Sequence, residues 1–439
     1  MKNRRDLVFV ILIALTVRSV LLFGNYLRHP EFFERRAEKI ASQISAADLP
    51  YMDVFGFEVG NLAYSIVCKK QGFASPFGGD TGPSAWVAPG GVMIYCLAFS
   101  LFGCFSTGAL LFLFGIAMLL SVLIIILVYN LSLQLFGNRT AALLSALVFA
   151  LSLQDAELFN KAHQQDFNIY SFFFILVFYL FIQYMRNRSR KRLILFSIVA
   201  GVSLLFIPVL AGTLFLMLAA GAFLQKQDKM RAGADVLISF VLMGCLVGPY
   251  VWYQHDRLGV FCFVKSNGIF EVYQGNSKAS DGYLDTALFE KMHPAANRSE
   301  FELYKRRGEV AYVVSKREMF LKEFDVSRFL ITTGKRILYF FYIFRHHSEL
   351  PEMTFWILLR YVGYAIPGIV LLLYPLLGTK KCSPTIILMY VYIVGFALPY
   401  IFVAVMYRYS FPISTLTSIL LGGMANDLII KLRARLPVQ

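Results

Sequence analysis

Charge is nearly missing from the interior of the long apolar runs of this 439-residue chain, with Arg18, Asp235 and Arg360 close to their ends. Pumps and channels more often set ionisable residues inside their spans, so an ion pathway is disfavoured. The six cysteines (Cys68, Cys96, Cys104, Cys245, Cys262 and Cys382) form no CxxC and have no His at ligand spacing. They imply neither a disulfide framework nor a metal centre, although Cys68 and Cys262 both fall in outer loops and are able to pair. No DxD is present, no stretch is low in complexity, and no internal repeat is visible, which counts against a transporter built on inverted halves. The formal net charge of +15 has no nucleic-acid-binding fold beside it, so anionic headgroups are the nearer partner and nucleic acid is not expected. Residues 7–23 start like a signal peptide but contain Arg18 and lack an A-x-A site, and so read as a retained first helix. Glycosylation triplets at Asn138, Asn187 and Asn297 carry no information, since two of them fall on the cytoplasmic side.

What the chain does have is apolar length. It is 58% hydrophobic with 42 Phe and a mean hydropathy of +0.62, against about 45–50% apolar residues in soluble domains. The basic clusters Lys2/Arg4/Arg5, Arg139, Arg186 to Arg192, Lys226/Lys229/Arg231, Lys380/Lys381 and Lys431/Arg433/Arg435 each close an apolar run. Cytoplasmic loops carry such clusters. All of them fit inside only if residues 90–103 do not cross, and that segment is shorter than the roughly twenty residues a span needs. The pattern then predicts an all-α polytopic membrane protein with about ten transmembrane helices and both termini cytoplasmic. The spans are near 6–24, 107–135, 141–154, 167–185, 193–208, 209–225, 233–252, 354–377, 383–404 and 409–429. Two large loops lie outside, 25–106 and 253–353. This divides the chain into a core at 1–252, a periplasmic loop region at 253–353 and C-terminal membrane helices at 354–439.

The outer loops hold the polar chemistry. Phe57, Leu62, Ile66 and Val67 recur at helical spacing, which predicts an interfacial amphipathic helix near 56–70 with Glu58 in its first turn, where the helix dipole alone would favour a carboxylate. The second outer loop carries Asp155, Glu157, Lys161, His163 and Asp166, the last also placed to cap the following span. The late loop is rich in cations, including His255, Arg257, Lys265, Lys305, Arg306, Arg307, Lys335, Arg336, Arg345 and His346. Arg408 is a lone cation at the outer end of the last span, where snorkelling would also explain it.

The order of these features resembles the GT-C glycosyltransferases. The pattern is one span, then Phe57-Glu58-Val59-Gly60-Asn61-Leu62-Ala63 opening an interfacial helix, then a Pro-containing turn and a short apolar helix ending Leu101-Phe102-Gly103. The stretch GDTGPSAWVAPGGVMIYCLAFSLFG, Leu135-Phe136-Gly137, Tyr273-Gln-Gly-Asn276 and Arg408-Tyr-Ser-Phe-Pro412 are similar to a bacterial branch of that superfamily. The superfamily includes the protein O-mannosyltransferases and the lipid A aminoarabinose transferase.

The resemblance implies an enzyme of the bacterial inner membrane that works on its periplasmic face. It would move a sugar from a polyprenyl-phosphate carrier to a glycan, lipid or protein acceptor, with inversion. Its base would be Glu58, with Asp53 the rival, because many relatives carry Asp-Glu followed by Tyr-x-Glu where this chain has Phe-Gly-Phe-Glu. Asp166 would face that base, with Trp86, His163 and Asn276 in the cavity and Arg408, Arg257 or Arg336 at the donor phosphate. No cofactor is required, although Asp166 and His163 with Glu58 would suit Mg or Mn. The alternative is a lipid-linked sugar or polysaccharide translocator without catalysis.

Overall fold

The computed structural model describes residues 2–28, 55–152, 166–224, 229–343, 355–378 and 383–434. The chain opens with α1 (Lys2–Arg28) and a π-helical turn (Gly56–Gly60) that runs into α2 (Asn61–Val67). There follow α3 (Pro89–Phe102), α4 (Thr107–Phe136), α5 (Arg139–Ala150), α6 (Asp166–Asn187), α7 (Arg190–Leu204), α8 (Leu210–Leu224) and α9 (Lys229–Leu258). The late loop folds as α10 (Gly268–Asn276), α11 (Thr286–Met292), α12 (Arg298–Glu323) and α13 (Val326–Phe341). After it come α14 (Phe355–Leu377), α15 (Pro384–Phe402), a 3-10 turn (Tyr407–Ser410) and α16 (Phe411–Arg433). Among the described residues pairing of the β type is limited to two isolated bridges, Ala74 with Pro83 and Tyr283 with Val405.

The protein is an all-helical membrane protein. Six helices among the described residues are long and apolar enough to cross a bilayer. They coincide with six of the ten spans expected; the others fall on α1 and on the shorter α5, α7 and α8. The difference has a local cause at residues 193–225, where a turn at 205–209 containing Pro208 divides the run into two helices of 15 residues each. At 1.5 Å per residue each is about 22 Å long, less than the roughly 30 Å hydrocarbon core. The exposed faces of α4 and α9 are apolar, as at Leu111, Leu119, Leu237 and Val241. The most enclosed of the six is α16, which packs on α4, α5, α6 and α14. Small residues permit that approach: a Cβ at Gly422 would stand 2.2 Å from the Ser145 hydroxyl oxygen, and that hydroxyl donates to the Ile419 carbonyl at 3.4 Å.

The direction of α1 decides whether α3 crosses. Asp6 pairs with Arg139, and the Arg18 guanidinium donates to the Ala150 carbonyl at 3.2 Å. Both contacts advance along the two helices together, so α1 and α5 run parallel. One crossing, that of α4, lies between them; a crossing by α3 as well would make α1 and α5 antiparallel. α3 has 14 residues, about 21 Å of helix. It packs against α2, and Cys68 and Cys104, which bracket it in sequence, are joined by a disulfide. The expectation of no disulfide framework is corrected here, and Cys262, although able to pair with Cys68, is a free thiol: the hairpin of α2 and α3 brings Cys104 to Cys68 instead. Arg18 is explained by the same packing, because Ala150 ends α5 and its carbonyl has no partner within that helix.

Candidate functional site

Glu58 lies within the π turn rather than in an ordinary first helical turn. The turn closes on itself so tightly that a Cβ at Gly60 would stand 2.9 Å from the Phe55 carbonyl oxygen, which only glycine allows. Such turns recur at functional sites because they reorient one side chain within a helix. The Phe55 ring below it is held edge-on by Phe99 and Phe105 at 5.4 and 5.5 Å. Glu58 Oε1 accepts from the Trp86 indole N–H at 2.6 Å and lies 3.3 Å from His293 Nε2. Trp86 is fully buried among Phe77, Phe270, Tyr304 and Tyr312, so its N–H is a fixed donor.

The segment carrying Trp86 is clamped from the late loop. α12 departs from helical geometry at Gly308 (φ 73°), and the next residue, Glu309, is buried. Its carboxylate accepts from the Ser84 hydroxyl at 2.6 Å, the Ala85 amide at 2.7 Å, the Ser266 hydroxyl at 2.6 Å and the Tyr304 hydroxyl at 2.7 Å. Burial raises the Glu309 pKa above the ordinary carboxylate value, against the opposing effect of these donors, and drives the Tyr304 phenol up as well.

Between the two outer loops and the helix ends lies a cavity of about 140 Å³. The first outer loop contributes Glu58, Val59 and Trp86 to Ala88, and the late loop contributes Lys265, Asn267 and Glu271. The membrane helices contribute Tyr170 near the start of α6, the turn at 207–209 between α7 and α8, Tyr400 near the end of α15, and Arg408 with Tyr409 from the 3-10 turn. All these ends lie on one side when α3 does not cross. Gly90 makes the junction possible: its amide bonds the Leu205 carbonyl at 2.8 Å, and a Cβ there would sit 2.5 Å from the Phe206 ring. On the late-loop wall Lys265 pairs with Glu271 at 3.0 Å, and Asn267 donates to the same carboxylate at 3.0 Å. The preceding Val264 is fully buried with φ 64°, a strained conformation for a β-branched residue.

Of the residues expected at the site, Glu58, Trp86 and Arg408 share this cavity. Asp53 and His163 lie outside the described residues, and Asp166 is the first residue of α6. Arg257 does not line the cavity; it is exposed, donates to the Gln71 carbonyl at 3.1 Å and lies over the Tyr253 ring. Arg336 is also elsewhere. It is fully buried and donates to the carbonyls of Gly275 (2.5 Å), Phe402 (3.1 Å), Gly282 (3.3 Å) and Ile401 (3.4 Å) and to Asn276 Oδ1 (2.8 Å). Its guanidinium thus ties α10 to the end of α15, and burial lowers its pKa to about 10. Asn276 serves the same joint and does not line the cavity. His293, Glu271 and Glu309 were not singled out by the sequence, and Lys265 was one of many late-loop cations. Among the described residues no group of three or more His, Cys, Asp or Glu stands together as a metal site would.

No protein-family model and no curated protein matches the chain. Solved structures do. The chain is similar to the apo oligosaccharyltransferase of Archaeoglobus fulgidus with a TM-score of 0.55 and 14% identity, over 98% of this chain and 51% of that one. It is similar to that enzyme tethered to an acceptor peptide through a disulfide bond, with a TM-score of 0.52 and 14% identity over 98% and 50%. It is also similar to the oligosaccharyltransferase AglB of the same archaeon in complex with an inhibitory peptide and a dolichol-phosphate, with a TM-score of 0.50 and 14% identity over 99% and 52%. The chain therefore spans about half the length of these proteins. The likeness shows the fold alone, a helical membrane architecture in common with these structures.

Proposed function

We propose that the chain is an integral membrane glycosyltransferase that takes a sugar from a polyprenyl-phosphate carrier and passes it to an acceptor with inversion. The observation carrying this reading is one cavity at the helix ends with a carboxylate, Glu58, held by the Trp86 N–H and close to His293, and two cations, Arg408 and Lys265, in its wall. The acceptor hydroxyl gives its proton to Glu58 while its oxygen bonds the anomeric carbon; the bond from that carbon to the carrier phosphate breaks, and its electron pair leaves with the phosphate. Arg408 and Lys265 meet the charge that develops there. Lys265 thereby takes the place in the donor site that the sequence alone offered to Arg257 or Arg336. If a divalent cation takes part, Asp166 and His163 are its ligands beside Glu58. The acceptor is a glycan, lipid or peptide at the periplasmic face of a bacterial inner membrane.

Incubating the purified protein with a panel of polyprenyl-phosphate sugars tests this. Glu58→Gln should remain abundant and lose transfer by about 10²–10⁴-fold, and Asp53→Asn should do less harm. Wild-type protein that turns over no such donor would overturn the reading. For orientation, reporter fusions after 188 and 228 should read cytoplasmic and those near 80 and 290 periplasmic; a periplasmic signal at 188 would remove the arrangement proposed.

A further inference from the structure

His293 ends α11, far along the chain from Glu58, yet its ring is held on every side. Phe289 stacks on it at 4.5 Å, and Phe270, Phe77 and Trp86 meet it edge-on at 5.4, 5.5 and 6.1 Å. The backbone is fixed too, since its carbonyl accepts from the amides of Ala296 at 3.0 Å and Asn297 at 2.8 Å. The decisive contact is on the ring. Nδ1 accepts from the Ala295 amide at 3.1 Å, so Nδ1 presents a lone pair, and the ring hydrogen is assigned to Nε2 by that bond. Nε2 is the atom that lies 3.3 Å from Glu58 Oε1.

We infer that His293 is a positioning residue for the base, an inference that rests on the role proposed for Glu58. The Ala295 amide fixes the tautomer, which places the ring hydrogen on Nε2, 3.3 Å from the Oε1 that already accepts from the Trp86 N–H. Both groups stand at the same oxygen, which leaves Oε2 as the atom that receives the acceptor's proton. Neither donor touches the sugar or the carrier. A carboxylate free to rotate would divide its time among orientations, and general-base catalysis depends on holding one. The late loop thus sets the geometry of a base that the first loop supplies.

Two substitutions separate this from simple packing, because they exchange what each preserves. His293→Phe keeps a ring against Phe289 and removes the N–H; His293→Gln removes the ring and keeps an N–H able to reach Glu58. With a polyprenyl-phosphate sugar that the wild type turns over, His293→Phe should lower kcat on the order of 10–100-fold with donor KM little changed. His293→Gln should recover most of that loss. The reverse order, or equal loss in both variants at equal membrane abundance, overturns the inference and assigns His293 to packing. Glu58→Gln is run beside them. If it transfers at the wild-type rate, the role of Glu58 itself has failed and the inference falls with it. If it is inactive while His293→Phe is active, only the positioning role is lost.

Discussion

Arg336 and Glu58 are both charged side chains in outer segments set against the ends of membrane helices, and their surroundings differ. The Arg336 guanidinium gives its hydrogens to four backbone carbonyls and to Asn276, and it is shut off from solvent. Glu58 meets Trp86 and His293 through one oxygen and lines a cavity with Arg408 and Lys265. The first arrangement uses a charge to satisfy orphan carbonyls where α15 ends; the second leaves chemistry available to a ligand. Burial lowers the Arg336 pKa to about 10, yet it lies outside the cavity. Partners, rather than perturbation, distinguish the joint from the site.

The comparison is broken most severely at Arg408. Arg408→Ala should reduce transfer by about 10²–10³-fold, while Arg408→Lys keeps part of the rate because charge is retained and the two-pronged geometry lost. Near-wild-type transfer by Arg408→Ala, measured at equal membrane abundance, would place it with the interfacial anchors. Arg336→Ala should act on the other axis. It leaves several buried carbonyls unsatisfied, at about 1–3 kcal/mol for each group that water cannot reach, so thermal stability in detergent should fall steeply. Donor KM of whatever folds should change little, and a selective rise in KM would move Arg336 into the donor site.

The smallest effect concerns Glu309. Its folded pKa is raised by burial above the ordinary 4.5, so the folded state binds its proton more tightly than the unfolded chain does. The stability this contributes is fully present below about 4.5 and is lost as pH rises through the raised folded value. Melting midpoints should therefore decline across that window in the wild type. In Glu309→Gln this component of the slope should vanish. A wild-type profile that rises there and is copied by Glu309→Gln would contradict the assignment.

Membrane architecture was legible because it is written in composition: apolar runs, basic clusters and the short segment at 90–103 point to an all-helical membrane fold. Glu58, Trp86 and Arg408 were legible because the resemblance carries them in order along the chain. The remainder of the site depends on long-range packing. His293 reaches Glu58 only after α11 folds beneath the aromatic cluster, and no local spacing relates the two. Lys265 and Arg336 are equivalent as letters, each a cation in a cation-rich loop. They part company because one flanks a cavity and the other lies beneath carbonyls, a difference that exists only in three dimensions. The disulfide is a contact of the same kind, since Cys104 meets Cys68 only where α2 and α3 fold back on each other as a hairpin.

The brevity of α3 bears on which changes in length the chain can survive. Its 14 residues fall about six short of a span. Shortening them further would still return the chain to the same side. An insertion of about six apolar residues, harmless to any single contact, would turn α3 into a crossing and invert every helix that follows. Arg408 and Lys265 would then face one compartment and Glu58 the other, with a bilayer between base and leaving group. Tolerance to length change at this helix is therefore one-sided: deletions spare the orientation of the chain, whereas modest apolar insertions divide the candidate site.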